Sequence, residues 1–202
     1  RKTCLFTSAL QAEGKTFSAI NYAVSLAQQG LATLLVDADL RAPRVGQILA
    51  LKETALGLAD YLAGEAIVEQ VISDTDIPNL FVIGAGHAIS SPAELLANRA
   101  FGDLLKEVGS RFDHIVIDTA PVIPVSDTLL LIEHAQTVCM VSRACKTPRN
   151  LILRAIQMLV QAGGKPVGLI LNQIPSGRAF GYPYNYGGYK KVGYGREEAA
   201  VR

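Results

Sequence analysis

The chain of 202 residues has no tryptophan, and only 6% of its residues are aromatic. Cysteine is scarce: Cys4, Cys139 and Cys145, an odd number with no Cys-x-x-Cys pair. That spacing excludes a disulfide scaffold and a cysteine-built zinc site, and the expectation is a reducing compartment. Charge is scarce too, at 18% of residues with a net charge of +1. So small a balance argues against nucleic-acid binding and against a membrane-surface protein. No stretch approaches the roughly 18 uncharged apolar residues that span a bilayer. The opening Arg1-Lys2-Thr3 runs straight into a strand pattern, unlike a signal peptide. With no initiator Met, the chain reads as a piece of a longer protein. What is abundant is apolar: 50% of residues are hydrophobic, which excludes disorder for most of the chain and predicts one domain with a substantial core.

The mean charge hides an asymmetry. Residues 176–202 hold five Lys or Arg against Glu197 and Glu198, a net +3, and five of the seven tyrosines. The rest of the chain is slightly acidic. The last segment is rich in Gly and Tyr and shows neither helical nor strand period, which predicts a disordered tail. The expected division is 1–175 as one domain and 176–202 as the tail.

Up to residue 175 the pattern alternates buried-strand runs with helical ones. Strands are expected at Thr3–Thr7, Ala32–Val36, Leu80–Ile83, His114–Ile117, Thr137–Val141 and Val167–Leu171. Helices are expected at Thr16–Gln29 and from Thr147-Pro148 to Gly163-Gly164, with short ones at Gly57–Leu62 and Ala66–Ile72. Ser91-Pro92-Ala93-Glu94 has the chemistry of a helix start, with Ser91 as cap, Pro92 at the first position and Glu94 closing a capping box. That helix is expected to run to about Arg111. Alternation of this kind predicts an α/β fold with a mostly parallel sheet covered by helices on both faces.

Ala9-Leu10-Gln11-Ala12-Glu13-Gly14-Lys15-Thr16 lies between a strand and a helix, the setting of a phosphate-binding P-loop. Its backbone N–H groups and the helix N-terminus would cradle phosphate oxygens. Lys15 would meet the β- and γ-phosphates, and the Thr16 hydroxyl would ligate Mg²⁺. Ala9 stands where such loops usually begin with Gly. If that position needs a positive φ, Ala9 carries a strain of about 1–2 kcal/mol. Two more apolar strands end in carboxylates, Leu34-Leu35-Val36-Asp37-Ala38-Asp39 and Ile115-Val116-Ile117-Asp118. Ligands of open parallel sheets sit beyond the carboxyl ends of the strands, so Asp37, Asp39 and Asp118 should gather at the P-loop. Asp118 would hold Mg²⁺ directly or through water. A spare carboxylate there can orient or deprotonate an attacking hydroxyl.

The order TSALQAEGKT, LLVDADLR, IVIDTAP resembles the bacterial tyrosine kinases, cytoplasmic autokinases of capsule and exopolysaccharide production. The resemblance covers about residues 3–175 and extends to SSPAELL, VSDTLLL, VSRACKTPR and GLILNQ. It implies a P-loop NTPase-like fold that uses ATP and Mg²⁺. It implies Lys15 as phosphate-binding lysine, Asp37 as the carboxylate that activates the tyrosine hydroxyl, Asp39 as a further catalytic carboxylate, and Thr16, Asp39 and Asp118 around the metal. Ala12, Glu13, Gly14, Lys15, Thr16 and Phe17 would hold the nucleotide, with Asn172 near its base. The family's terminal tyrosine cluster is matched by Tyr182, Tyr184, Tyr186, Tyr189 and Tyr194, the implied acceptors, phosphorylated in trans between protomers. Each phosphate adds about −1.5 to −2 charges, so two would cancel or reverse the basic tail. Implied partners are further copies of the protein, a membrane-bound polysaccharide co-polymerase segment or activator, and a tyrosine phosphatase. Nucleic acid is not among them. The family reads PGEGK where this chain has Gln11-Ala12-Glu13-Gly14-Lys15. The expected setting is the cytoplasmic side of an inner-membrane parent with a further helix ahead of residue 1.

Other residues read more plainly. His87, His114 and His134 are expected in structural roles. Asp127 either senses the γ-phosphate or caps a helix. Arg143 and Arg149 either reach phosphate or face solvent. Tyr22 and Tyr61 are expected to be partly buried and not acceptors. Two other functions share the pattern, a partitioning or positioning ATPase switch and a nucleotide-binding regulatory subunit without transfer activity. The ATPase switch carries an extra lysine early in its P-loop, and Ala9–Glu13 has none.

Overall fold

The structure is a computed structural model that describes residues 2–52 and 55–175. The tail and its five tyrosines lie outside the described residues. Seven strands form one sheet: β1 (Thr3–Ser8), β2 (Thr33–Ala38), β3 (Ile72–Asp74), β4 (Leu80–Ile83), β5 (His114–Thr119), β6 (Thr137–Arg143) and β7 (Pro166–Asn172). Their order is β3-β4-β2-β5-β1-β6-β7, all parallel except β3 against β4. Helices cover both faces, so every residue of β1 and β2 is buried. This is the α/β fold expected from the sequence.

Alternate strand residues feed two cores, because successive strand side chains point to opposite faces. Phe6, Leu35, Val116 and Val141 pack with Ala19, Ile20, Ala23 and Leu26 of α1 (Lys15–Gln28). Leu5, Leu34, Val36, Ile115, Ile117 and Met140 pack on the other face with Phe101, Leu104, Leu131 and Leu159. The central strands hold their C-terminal carboxylates in register. Asp37 of β2 pairs with Asp118 of β5, which pairs with Phe6 of β1 just before the P-loop.

Three local expectations are corrected. The helix expected from Ser91 to about Arg111 is two, α5 (Pro92–Leu96) and α6 (Ala100–Gly109). Pro92 does open α5, but the Ser91 side chain makes no cap bond. Between the helices the Asn98 side chain accepts the Ala100 N–H at 3.4 Å, the local bond by which Asn competes with helix. The region 42–78 holds α2 (Val45–Ile48), α3 (Leu58–Leu62) and α4 (Val68–Val71). The helix expected over Ala66–Ile72 is therefore shorter, and Ile72 already belongs to β3, whose three residues are too few to show a period. Two further α-helices follow among the described residues, α7 (Asp127–Leu131) and α8 (Arg149–Gln161), with a short 3₁₀ turn at Ile132–His134 between them.

Candidate active site

The loop from β1 to α1 takes its shape from two residues with left-handed backbone, Ala12 (φ 60°) and Gly14 (φ 94°). Ala9 is buried and has no positive φ, so the strain expected there falls on Ala12 instead. Gly14 has a second constraint: a Cβ there would collide with the Asn172 amide. Asn172, at the end of β7, donates from Nδ2 to the Glu13 carbonyl at 3.0 Å. Glu13 is itself buried, and its carboxylate accepts the N–H of Leu10 at 2.6 Å, the N–H of Arg143 at 3.3 Å and the hydroxyl of Thr147. Both side chains thus brace the loop from behind. The sequence carried no sign of the Glu13–Thr147 contact, which joins residues far apart in the chain.

Lys15 is buried at the head of α1. Its Nζ donates to Asp39 Oδ2 at 2.6 Å and lies 3.8 Å from Asp118 Oδ1 and 3.4 Å from Thr16 Oγ1. Asp37 is fully buried. Its Oδ1 accepts the Asp39 N–H at 3.3 Å, and its Oδ2 accepts the N–H groups of Arg44 at 3.1 Å and Val45 at 3.0 Å. Burial pushes the Asp37 carboxyl up to about 6, against the pull of the Val45 N–H. Burial likewise pushes Asp118 up to about 7, against the charge of Lys15. Lys15, Asp37, Asp39, Asp118 and Thr16 therefore meet at the carboxyl ends of β1, β2 and β5, as their motifs implied.

Neither carboxylate oxygen of Asp118 has a hydrogen-bond partner, although both are buried. Lys15 Nζ faces Oδ1 at 3.8 Å, an ion pair but too long for a hydrogen bond, and a buried carboxylate without one costs about 1–3 kcal/mol or more. A hard cation answers that deficit, and the oxygens of Thr16, Asp39 and Asp118 are the donors Mg²⁺ prefers. Among the described residues no cluster of three His, Cys, Asp or Glu would cage a metal alone.

Two cavities flank the loop after Asp37. One, of about 310 Å³, lies between P-loop residues Gln11, Ala12, Gly14, Lys15 and Thr16 and the facing Asp39, Ala42 and Arg44. The other, of about 440 Å³, is lined by Asp37, Pro43, Gln47, Leu51, Lys52 and Gly84–Gly86, among others. Phe17 stands exposed on the first turn of α1, beside the nucleotide cavity but not lining it. A cavity of about 460 Å³ around Asn98, Lys106 and His134 includes Thr3, at the opposite end of β1, and takes no part.

Sequence reasoning missed Arg41 and Arg44. Arg41 donates from Nε and Nη2 to the two oxygens of Asp127, at 2.7 and 3.0 Å. Asp127, buried at the first position of α7, is the anchor of this fork and makes no helix-cap bond. A signal existed, since Arg41 follows Asp39 by two residues on a strand-end loop. Arg143 meets the P-loop through its backbone only, and Arg149 opens α8 exposed. His87 pairs its Nδ1 with Asp60 Oδ1 at 2.6 Å, and the His134 ring packs 5.5 Å from Phe101. Tyr22 is more exposed than expected, at 39%, and its ring lies tilted against Phe6 with centroids 5.5 Å apart.

The family described as an AAA domain matches residues 12–147. The chain is 34% identical to the tyrosine-protein kinase CpsD of Streptococcus agalactiae over 187 residues, 92% of this chain and 82% of that protein. Among solved structures, the kinase domain of VpsO superposes with a TM-score of 0.83 at 34% identity, covering 87% of this chain and 86% of that one. The septum site-determining protein MinD of Pyrococcus horikoshii, solved with Mg-ADP, superposes with a TM-score of 0.72 at 22% identity over 84% of this chain and 69% of that one; the likeness is of fold alone. With a strand-end carboxylate set facing a P-loop, and kinases matched along most of its length, the chain belongs to the family of bacterial tyrosine-protein kinases.

Proposed function

We propose that the domain binds ATP with Mg²⁺ in the cavity between the P-loop and Asp39, and transfers the γ-phosphate to tyrosines of its own tail. The observation that carries this reading is the buried Asp118 carboxylate, without a hydrogen bond, beside Lys15, Asp39 and Thr16. P-loop N–H groups and Lys15 hold the β- and γ-phosphates. Magnesium, held by Thr16, Asp39 and Asp118, supplies neutralisation of phosphate charge when bound. The acceptor tyrosine enters from the second cavity, where Asp37 forms part of the wall. Its hydroxyl has an ordinary pKa near 10, so transfer gains from a base. The Asp37 carboxyl, pushed up to about 6, is ionised at pH 7 yet basic enough to take that proton.

Tyr182, Tyr184, Tyr186, Tyr189 and Tyr194 are the proposed acceptors, served in trans by a neighbouring protomer. The proposed setting is the cytoplasmic face of a membrane-associated polysaccharide co-polymerase, with a tyrosine phosphatase resetting the tail. Support for the setting comes from the family resemblance.

Incubation of the purified chain with Mg²⁺-ATP and mapping of modified residues by mass spectrometry tests the reading. Phosphate on tail tyrosines, abolished by Lys15→Met, is the expected result. Phosphate release with unmodified tyrosines would point to an ATPase switch. Tight nucleotide binding with neither would point to a regulatory subunit.

A further inference from the structure

Among the described residues, the P-loop and the loop after β2 up to Arg44 carry three cations, and two of them are matched by carboxylates. Lys15 pairs with Asp39, and Arg41 pairs with Asp127. Arg44 differs. Its guanidinium touches Gln47 Oε1 at 3.4 Å, and among the described residues it meets no carboxylate. Yet Arg44 lines the same cavity as Lys15 and Thr16. Its place there is fixed by the backbone. The Arg44 N–H is bonded to Asp37, the Ala42 N–H to Asp39 Oδ1 at 3.2 Å, and the loop between is tied down by the Arg41 fork. A buried carboxylate thus holds an exposed arginine at the rim of a phosphate cavity.

The charge inventory says what that arginine is for. Ionised, Lys15, Asp37, Asp39 and Asp118 sum to −2, and a nucleoside triphosphate adds more negative charge. A guanidinium offers a planar set of donors that matches phosphate oxygens, and it stays charged at any working pH. We infer that Arg44 contacts the terminal phosphoryl group of the bound nucleotide and stabilises the charge on its oxygens during transfer. The inference rests on the kinase reading above. In that step the tyrosine oxygen forms a bond to the γ-phosphorus, and the bond from that phosphorus to the β–γ bridging oxygen breaks. ADP leaves with the electron pair, and the hydroxyl proton goes to Asp37. Arg44 exchanges no proton and acts as an in-chain electrostatic clamp.

The test compares wild type, Arg44→Gln and Arg44→Lys in the full 202-residue chain, with thermal melts to confirm folding. Titration calorimetry with Mg²⁺-ADP and with the non-hydrolysable triphosphate AMP-PNP reads the contact. Single-turnover tail phosphorylation reads the step. Arg44→Gln should bind ADP like wild type, bind AMP-PNP at least about tenfold more weakly, and transfer phosphate about 10²–10³-fold more slowly, the usual cost of losing one charge-stabilising donor. Arg44→Lys, with its charge but no fork, should recover part of the AMP-PNP affinity. Equal loss of ADP and AMP-PNP affinity, or no loss of either, would overturn the assignment. So would a slowed transfer reversed by raising the acceptor concentration alone, since Arg44 would then serve the tyrosine. If wild type binds AMP-PNP through Arg44 yet modifies no tyrosine, the phosphate contact stands and the kinase reading is what fails.

Discussion

The P-loop and the carboxylate loop after β2 face each other across one cavity but are held by opposite means. The P-loop is braced from outside, by Glu13 reaching Thr147 and the Arg143 backbone, and by Asn172 reaching back from the last strand. The carboxylate loop is largely self-braced. Asp37 and Asp39 bond the N–H groups of residues two to eight positions ahead, and two longer-range ties, Lys15–Asp39 and the Arg41–Asp127 fork, complete its support. A loop that must keep one shape is anchored to two strands, β6 and β7, and to the turn after β6. A loop that must present charged side chains spends its own carboxylates on turn geometry.

The contrast can be broken most severely at Glu13. Glu13→Ala leaves the half-buried Thr147 hydroxyl and the Leu10 N–H without their carboxylate partner, while the Arg143 N–H keeps Thr147 Oγ1, and should cost about 3 kcal/mol, read by urea denaturation, with loss of nucleotide binding. Next is Gly14→Ala, which meets both a left-handed φ and the Asn172 amide. It should cost about 2–3 kcal/mol by strain and clash. Adding Asn172→Ala should recover part of that, a non-additivity a double-mutant cycle measures. Third is the fork: a cycle on Arg41→Ala and Asp127→Ala should give a coupling of about 1 kcal/mol, reduced from the buried-pair range because Arg41 is 42% exposed on its side chain. Ala12→Gly should be nearly neutral, within about 0.5 kcal/mol, because relief of the left-handed strain is offset by a more flexible unfolded chain.

The smallest effect lies outside both loops and serves as their control. The Asp60 carboxylate beside the exposed His87 ring raises the imidazole pKa. Burial would raise the Asp60 carboxyl, but the N–H of Gly57 and the contacts of His87 together bring it below its ordinary value. A raised histidine pKa stabilises fully below about pH 6.5 and fades as pH climbs through the folded value. A lowered carboxyl stabilises above about pH 3.8 and fades as pH falls through its folded value. Melting curves should therefore show His87→Ala lowering Tm slightly at pH 5.5 and less at pH 8.5. An equal drop at both would remove the ion pair from the account.

What could be read from sequence follows the same division. The apolar strands, the P-loop and the three strand-end aspartates were legible because each is a local pattern with a fixed place at the sheet edge. Asp37 and Asp118 met as expected because parallel register did the rest. The role of Glu13 was not legible, since its partner Thr147, just after β6, is brought near only by the pairing of β6 with β1. Asp127 was seen but given a local purpose, because helix-start chemistry masks a distant arginine. The break at Ala97–Arg99 was hidden by a good helical period on both sides, and β3 by its three residues.

The pairing of β2 with β5 sets Asp37 beside Asp118, and Thr33 with His114 at the far end of the same ladder. A strand rises about 3.3 Å per residue and alternates faces, so a slip of one step would carry one carboxylate about 3.3 Å along the strand and turn it toward the opposite core. The spacing of the reactive groups is therefore calibrated along the whole length of two strands. Drift in phosphate chemistry can arise from substitutions at the sheet's remote end, where nothing reactive is found.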